Sequence, residues 1–339
     1  MKRLLASAMI AAGLSMSGSA AMADSMLING AGSTMVYPAM TKWFAERQAT
    51  APDVQFNYQS IGSGGGIKQF SAQTVDFGAS DAPMNDEQLA GAAGSVLQLP
   101  DVIGAVVPVY NIPGVDAKLK FSQKAIVGIF MGTITKWNDP AIQSANPDVK
   151  LPSDAILTVH RSDGSGTTFC WTDFLSKLSY EWKGRVGKGT SVNWPNGLGG
   201  KGNEGVAGLV KETPNSIGYV ELIYAIQNKM AYGLLQNASG KFVEATLETV
   251  TAAAASVKMP SDFRVSITNA PGDNSYPAAT FSWVMIYKHP KDKAKAKHLV
   301  EFMKWMLGPG QKISADLGYA PLPQSVVDKE LAALGKVAL

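Results

Sequence analysis

Arg161 is the side chain whose sequence context best suits it to bind a charged group. It lies just after a β-type run at 156–159 and opens the loop Arg-Ser-Asp-Gly-Ser-Gly-Thr at 161–167. A guanidinium keeps its proton and can donate two parallel hydrogen bonds to an oxyanion. Asp163 is close enough in sequence to orient it. The alternative is a surface arginine paired with a neighbouring carboxylate.

Asp81 is the carboxylate with the most informative position. It ends the apolar segment at 75–80 and precedes Ala82 and Pro83. A carboxylate accepts hydrogen bonds and repels an anion, unless that anion brings a proton of its own. Hydrogen phosphate carries such a proton and sulfate at neutral pH does not, so Asp81 would select between them. A helix cap or turn residue is the alternative interpretation.

Three loops rich in Ser, Thr and Gly separate β-type runs from helical patterns, at 30–34, 60–66 and 161–167. We expect Ser33 and Thr34 to lie at a helix N-terminus, because an amphipathic stripe follows them. Consecutive glycines form helices poorly, so those at 64–66 are expected where the backbone approaches another group closely. The residues that form the apolar stripes are Val36, Met40, Trp43 and Phe44, then Ile67 and Phe70, then Cys170, Trp171, Phe174, Leu175 and Leu178.

A helix N-terminus presents free N–H groups and the positive end of the helix dipole, and it therefore suits an anion. One such loop is usually an ordinary helix cap. Alternation of β-type and helical segments predicts an α/β fold with mostly parallel strands, whose carboxyl ends meet at one crevice. Three loops of this kind therefore predict one anion site.

The beginning of the chain has the pattern of a secretory signal. Lys2 and Arg3 precede an apolar run at 4–14, and small residues follow up to Ala23, so we expect cleavage near Ala23 and Asp24. No later segment reaches the roughly twenty apolar residues of a membrane helix. We expect a periplasmic protein that is not membrane-embedded.

Charge and cysteine content restrict the partners further. Removing Lys2 and Arg3 lowers the formal net charge from +3 to +1, which disfavours nucleic acid as the main partner. Cys170 is the single cysteine in the sequence and is expected to be a small buried helix residue.

Two β-rich segments, at 102–109 and 280–287, lie far apart in sequence and could be paired crossings between two lobes. The length of 339 residues also favours two domains. In that arrangement the first lobe is built from both ends of the chain and the second from its middle.

Four segments together closely resemble the periplasmic phosphate-binding proteins of high-affinity phosphate ABC transporters. They lie at 30–34, 61–66, 75–83 and 161–167, and further matches occur at 136–139, 193–203 and 217–221. The resemblance covers nearly the whole mature chain in order. It implies a two-lobed periplasmic-binding-protein fold of the Venus flytrap type, each lobe a mostly parallel sheet flanked by helices, joined by a two-strand hinge. The implied divisions are a signal peptide at 1–23, a first lobe at 24–108 plus 281–339, and a second lobe at 109–280.

The resemblance also implies a ligand and a set of contacts. Inorganic phosphate would be bound between the lobes and delivered to the membrane permease of an ABC transporter, with no catalysis, metal or cofactor and with a monomeric protein. Asp163 would hold Arg161 in place. Where relatives commonly carry Phe, this chain has Met35, whose main-chain donor is retained. The implied phosphate contacts are Thr34, the N–H of Met35, Ser63, Asp81, Arg161, Ser165, Gly166 and Thr167.

Two other functions are compatible with an anion site. A secreted phosphatase or hydrolase would need an activated nucleophile, but the loop around Ser165 lacks the G-x-S-x-G spacing, and His160 has no assigned acid partner. His160, His289 and His298 show no metal-ligand spacing. A binding protein for another oxyanion is the second alternative, and Asp81 argues against a ligand that is fully ionised.

Overall fold

The computed structural model describes residues 26–339, so the expected signal peptide and its cleavage site lie outside the described residues. The strands are β1 Met26–Gly32, β2 Val54–Ser60, β3 Phe77–Ser80, β4 Val96–Asn111, β5 Lys120–Phe121, β6 Leu157–Arg161, β7 Leu198–Gly200, β8 Ser216–Glu221, β9 Ala231–Tyr232, β10 Leu234–Gln236, β11 Phe242–Val243 and β12 Ala279–Tyr287. The helices are α1 Tyr37–Thr50, α2 Ser63–Ser71, α3 Asp86–Ala90, α4 Gln123–Met131, α5 Pro140–Gln143, α6 Gly166–Leu178, α7 Tyr180–Arg185, α8 Gly202–Glu212, α9 Leu222–Gln227, α10 Leu247–Ala255, α11 Lys293–Met306, α12 Pro309–Asp316 and α13 Gln324–Leu334.

The main strands follow the order β2-β1-β3-β12-β4-β8-β6-β7, and β9 pairs with β4. Strands β1, β2 and β3 are parallel, as are β6, β7 and β8, whereas β12 and β4 run antiparallel to their neighbours. We call the part built on β2, β1, β3 and β12 the first lobe and the part built on β8, β6 and β7 the second lobe. The predicted α/β class with two lobes is confirmed.

Strand β4 belongs to both lobes. It pairs with β12 up to Ala105 and then with β8 from Val106 onward. The β-rich segments predicted at 102–109 and 280–287 are therefore strands that pair with each other. Nearly all of β4 is buried, and its apolar stretch at 102–109 agrees with a strand covered on both faces.

Apolar helix faces cover these sheets as the sequence stripes predict. Val36, Met40 and Trp43 are fully buried where α1 packs on the first lobe. Cys170 is buried in α6, so its predicted role as a small buried helix residue is confirmed. Within residues 26–339, the structure contains no helix with both the length and the apolar character that crossing a membrane requires.

Two expected helix starts are placed differently. Helix α1 begins at Tyr37, so Ser33 and Thr34 precede it instead of opening it. Glycines 64–66 lie inside the first turn of α2, although glycine is a poor helix former. The expected close approach explains their presence, because a β-carbon on Gly66 would lie 2.4 Å from the Cα of Gly32. Close packing of helix on strand therefore overrides helix propensity.

Candidate functional site

The predicted site residues come from both lobes and meet in the interior. Thr34 follows β1, Ser63 opens α2 and Asp81 follows β3, so all three belong to the first lobe. Arg161 ends β6 in the second lobe, and after a short loop Ser165 caps α6, which begins with Gly166 and Thr167. All the predicted contacts are buried, namely Thr34, Met35, Ser63, Asp81, Arg161, Ser165, Gly166 and Thr167.

Asp81 lies at the centre of this cluster. The hydroxyl of Ser33 donates to its Oδ1 at 2.5 Å, and the hydroxyl of Ser63 lies 3.4 Å from its Oδ2. Burial raises the pKa of Asp81 to about 6, although these hydroxyl hydrogen bonds and the charge of Arg161 act in the opposite direction. Its carboxylate is therefore a buried acceptor that stays ionised at neutral pH.

Arg161 is fixed by a bidentate pair with Asp163. Its Nε and Nη2 donate to the two oxygens of Asp163 at 2.8 and 2.6 Å. Burial alone would raise the pKa of Asp163, but the hydrogen bonds and charge of Arg161 outweigh burial and lower it. The remaining nitrogen, Nη1, points to the hydroxyl of Thr167 at 3.3 Å. Asp163 therefore orients the guanidinium so that its free edge faces the site, as its sequence position predicts.

The N-terminus of α6 approaches Asp81 from the opposite lobe. Ser165 caps this helix, and its hydroxyl accepts the N–H of Thr168 at 3.0 Å. A β-carbon on Gly166 would lie 2.6 Å from both Asp81 Oδ2 and Ser63 Oγ. The two lobes are therefore closed on each other, and glycine is the residue that permits this approach.

Met35 contributes main-chain groups and packing. Its N–H donates to the hydroxyl of Ser33 at 3.0 Å, and its carbonyl accepts the hydroxyl of Tyr319 at 2.6 Å. Its side chain is fully buried, with its terminal methyl against Gly104. The main-chain N–H of Met35, which was predicted to be a donor, thus lies beside the Ser33 hydroxyl that contacts Asp81.

Asn203 is a site residue that the sequence reasoning missed. Its Nδ2 donates to the hydroxyl of Thr34 at 2.8 Å and to that of Thr167 at 3.2 Å. Its Oδ1 accepts the N–H of Glu221, which fixes the amide orientation. Asn203 lies in the first turn of α8, so it links the two lobes from the N-terminus of a further helix. The Gly-Lys-Gly-Asn run at 200–203 ahead of a helical pattern was the available signal.

His160, which a hydrolase could use as a base, is engaged in other contacts. His160 stacks on Trp194 with ring centroids 4.9 Å apart, and its Nδ1 lies near the carbonyl of Arg161. Burial lowers the pKa of His160. Among residues 26–339, no group of three or more His, Cys, Asp or Glu side chains is arranged to hold a metal ion.

Comparison with known proteins identifies the family. The model of the PBP superfamily domain matches residues 16–309. The chain is 47% identical over 312 residues to the phosphate-binding protein PstS of Xylella fastidiosa, covering 91% of this chain and 85% of that protein. This chain belongs to the PstS family of phosphate-binding proteins.

A second relative and a solved structure are also similar to this PstS-family chain. It is 47% identical over 305 residues to PstS of Pasteurella multocida, covering 89% of this chain and 88% of that protein. Its fold is similar to that of a high-affinity periplasmic phosphate-binding protein solved with phosphate bound, with a TM-score of 0.73 and 19% identity. That match covers 91% of this chain and 93% of the solved one, and it supports the two-lobed fold.

Proposed function

We propose that this chain binds inorganic phosphate between its lobes and supplies it to a phosphate ABC transporter. The observation that carries this proposal is the closure of both lobes around one buried acceptor carboxylate, Asp81. The hydroxyls of Ser33 and Ser63 reach it from the first lobe, and the N-terminus of α6 approaches it from the second, with Arg161 nearby. Donors suit an oxyanion, and the single acceptor suits an oxyanion that retains a proton. PstS relatives are named for the same ligand.

The proposed contacts are numerous enough to replace the hydration of the anion. Hydrogen bonds to a charged group contribute roughly 1.5 to 3 kcal/mol each, so about ten of them hold a dehydrated phosphate tightly. The hydroxyls of Thr34 and Thr167 share the Asn203 amide, which holds these two proposed ligand groups together across the lobes. The proposed phosphate contacts are Thr34, the Met35 N–H, Ser63, Asp81, Arg161, Ser165, Gly166 and Thr167.

The protein is proposed to be non-catalytic. Relatives are named as binding proteins. A phosphatase of the serine type would need a base beside its nucleophile, whereas the hydroxyl of Ser165 accepts the N–H of Thr168. The imidazole of His160 instead stacks on Trp194.

The lobe limits are proposed at 24–108 plus 281–339 for the first lobe and 109–280 for the second. The transfer of β4 from β12 to β8 between Ala105 and Val106 supports a hinge close to these limits. Binding favours the closed arrangement because both lobes contact the ligand.

The cellular context is proposed from the same family membership. The protein is expected to act as a periplasmic monomer after cleavage near Ala23 and Asp24, and to deliver phosphate to a membrane permease. Size-exclusion chromatography with light scattering tests the monomer, and N-terminal sequencing of the exported protein tests the cleavage site.

Isothermal titration of the mature chain tests the function. Phosphate and arsenate both retain a proton near neutral pH, so both should bind, whereas sulfate should bind at least about 10⁴-fold more weakly. Incubation with a phosphate ester should release no alcohol. Equal affinity for phosphate and sulfate would refute the role of Asp81, and ester turnover would favour the phosphatase.

A further inference from the structure

A second buried acid, Asp101, lies across one strand from Asp81. Trp283 on β12 pairs with Ser80 on β3 and with Pro100 on β4. The next residues along those strands are Asp81 and Asp101, and Ser282 precedes Trp283. The register between β12 and β4 shifts at this point, between Phe281 and Trp283. Ser282 thus lies between the two carboxyl groups at an irregularity of the kind that re-aims side chains near functional sites.

Asp101 has an unsatisfied polar atom in a fully buried position. Its Oδ1 accepts the N–H of Val102 at 2.7 Å. Within the described part of the chain, its Oδ2 and the hydroxyl of Ser282 have no hydrogen-bond partner of standard geometry. The Ser282 hydroxyl nevertheless lies close enough to stabilise the ionised form of both Asp81 and Asp101. An ionised carboxylate in this position would be costly, whereas a protonated one has a hydrogen to donate toward Ser282.

We propose that Asp101 is a positioning residue for phosphate recognition: it holds a proton at neutral pH and, through Ser282, leaves the negative charge and the acceptor role to Asp81. Because phosphate is the proposed ligand of Asp81, this role depends on the proposed function. Two neighbouring buried carboxyl groups repel each other when both are ionised, so one of them keeps its proton. We place that proton on Asp101, which does not contact the ligand.

The surroundings of Asp101 agree with a retained proton. Burial, and after it the charge of Asp81, raise the pKa of Asp101 to about 8, although hydrogen bonds to the carboxyl group act in the opposite direction. The other titratable groups that sense Asp101 are the acid Glu330 on α13 and the phenols Tyr58 and Tyr319, each with its own pKa raised mainly by burial. A carboxyl group and two phenols cannot carry a positive charge, so these three groups do not stabilise an ionised Asp101.

The direction in which phosphate affinity changes with pH follows from the protonation of Asp101. Below about pH 8 Asp101 is neutral and phosphate meets one buried carboxylate. Above that pH Asp101 loses its proton, and a second negative charge opposes the anion. Phosphate affinity should therefore fall by up to about tenfold between about pH 7 and pH 9 beyond any change due to phosphate itself.

Titration calorimetry of the parent and the Asp101→Asn variant across this range isolates the effect. The amide keeps an acceptor for the N–H of Val102 and mimics the protonated acid. We expect equal affinities near pH 7 and a variant that binds up to about tenfold more tightly near pH 9. If the amide prevents folding, Asp101→Ser removes the same charge and should flatten the profile in the same way.

Glu330→Gln provides the matched control, because Glu330 is also buried without a partner for its carboxyl oxygens but is not among the main groups that shift the pKa of Asp81. This variant should keep the parent pH profile. A constant ratio of parent and Asp101→Asn affinities from about pH 7 to pH 9, or an equal flattening in Glu330→Gln, would overturn the role of Asp101. Failure of the parent to bind phosphate near pH 7 would instead refute the proposed function, and this role with it.

Discussion

Replacing Arg161 by alanine should damage phosphate binding more than any loss of a single hydroxyl. Residue Arg161 is 4% exposed, and two of its three guanidinium nitrogens are engaged by Asp163 at 2.8 and 2.6 Å. Its free edge, with Nη1 beside Thr167, is the part that faces the site. The substitution thus removes the ligand's proposed positive partner and leaves the Asp163 carboxylate without its counter-ion.

The loss of the contact to the ligand and the loss of the counter-ion of Asp163 both weaken phosphate binding. One or two hydrogen bonds from a charged donor contribute about 1.5 to 3 kcal/mol each. Breaking a buried ion pair from one side costs about 3 to 5 kcal/mol, because the remaining charge is left uncompensated. Part of that cost falls on the free protein, so we expect a binding loss of at least about 3 kcal/mol, or roughly 150-fold in affinity.

Isothermal titration with phosphate measures this loss, and circular dichroism checks that the variant is folded. Arg185→Ala is the matched control, because Arg185 forms an exposed pair with Glu181 and lies outside the site. It removes the same charge and should leave affinity unchanged. A folded Arg161→Ala protein that binds phosphate within about tenfold of the parent would refute the assigned role of the guanidinium.

Three further substitutions test other parts of the site. Asp81→Asn should lower the phosphate-to-sulfate affinity ratio at least about tenfold, because the amide no longer demands a ligand proton; competition titrations measure this. Asn203→Ala removes hydrogen bonds to Thr34 and Thr167 in opposite lobes, and should cost about 1 to 3 kcal/mol, mainly as faster dissociation in stopped-flow experiments. Gly166→Ala adds a methyl group where the lobes meet, and should weaken binding about five- to 150-fold by calorimetry.

These outcomes have clear controls. An unchanged phosphate-to-sulfate ratio would remove Asp81 from ligand selection. Alanine at the exposed Asn274 should leave dissociation unchanged, and an equal rate in the Asn203 variant would mean that its bridge has no role in closure. A methyl group added at Gly208 in α8 meets no atom within 4 Å, so that variant should bind normally. Parent-like binding by the Gly166 variant would contradict the tight closure.

The alternation of β-type runs, loops rich in Ser, Thr and Gly, and helical patterns along the sequence made the fold predictable. Apolar stripes placed α1 and α6 correctly because their buried faces follow helical periodicity. Helix α2 begins at Ser63, earlier than predicted, although a three-glycine run has low helix propensity. What keeps that run helical is its contact with β1 and β3, which are distant in sequence. Such contacts cannot be deduced from local composition.

Some residues of the candidate site could be predicted from the sequence and others could not. Arg161 and Asp163 are two positions apart, so their pairing could be expected from spacing. Asn203 joins Thr34 only after the lobes close, across 169 positions of the chain. Asp101 lies just before the β-rich segment at 102–109, and nothing local marks it, because its proximity to Asp81 depends on β12, which comes from the other end of the sequence.

The position of β12 in the sheet also determines when the first lobe can form. This strand lies between β3 and β4, yet it begins only at Ala279. During synthesis, the amino-terminal strands leave the ribosome long before the strand that completes their sheet. Until β12 is available, β3 keeps an open edge, and open strand edges are the sites at which other chains can pair and aggregate.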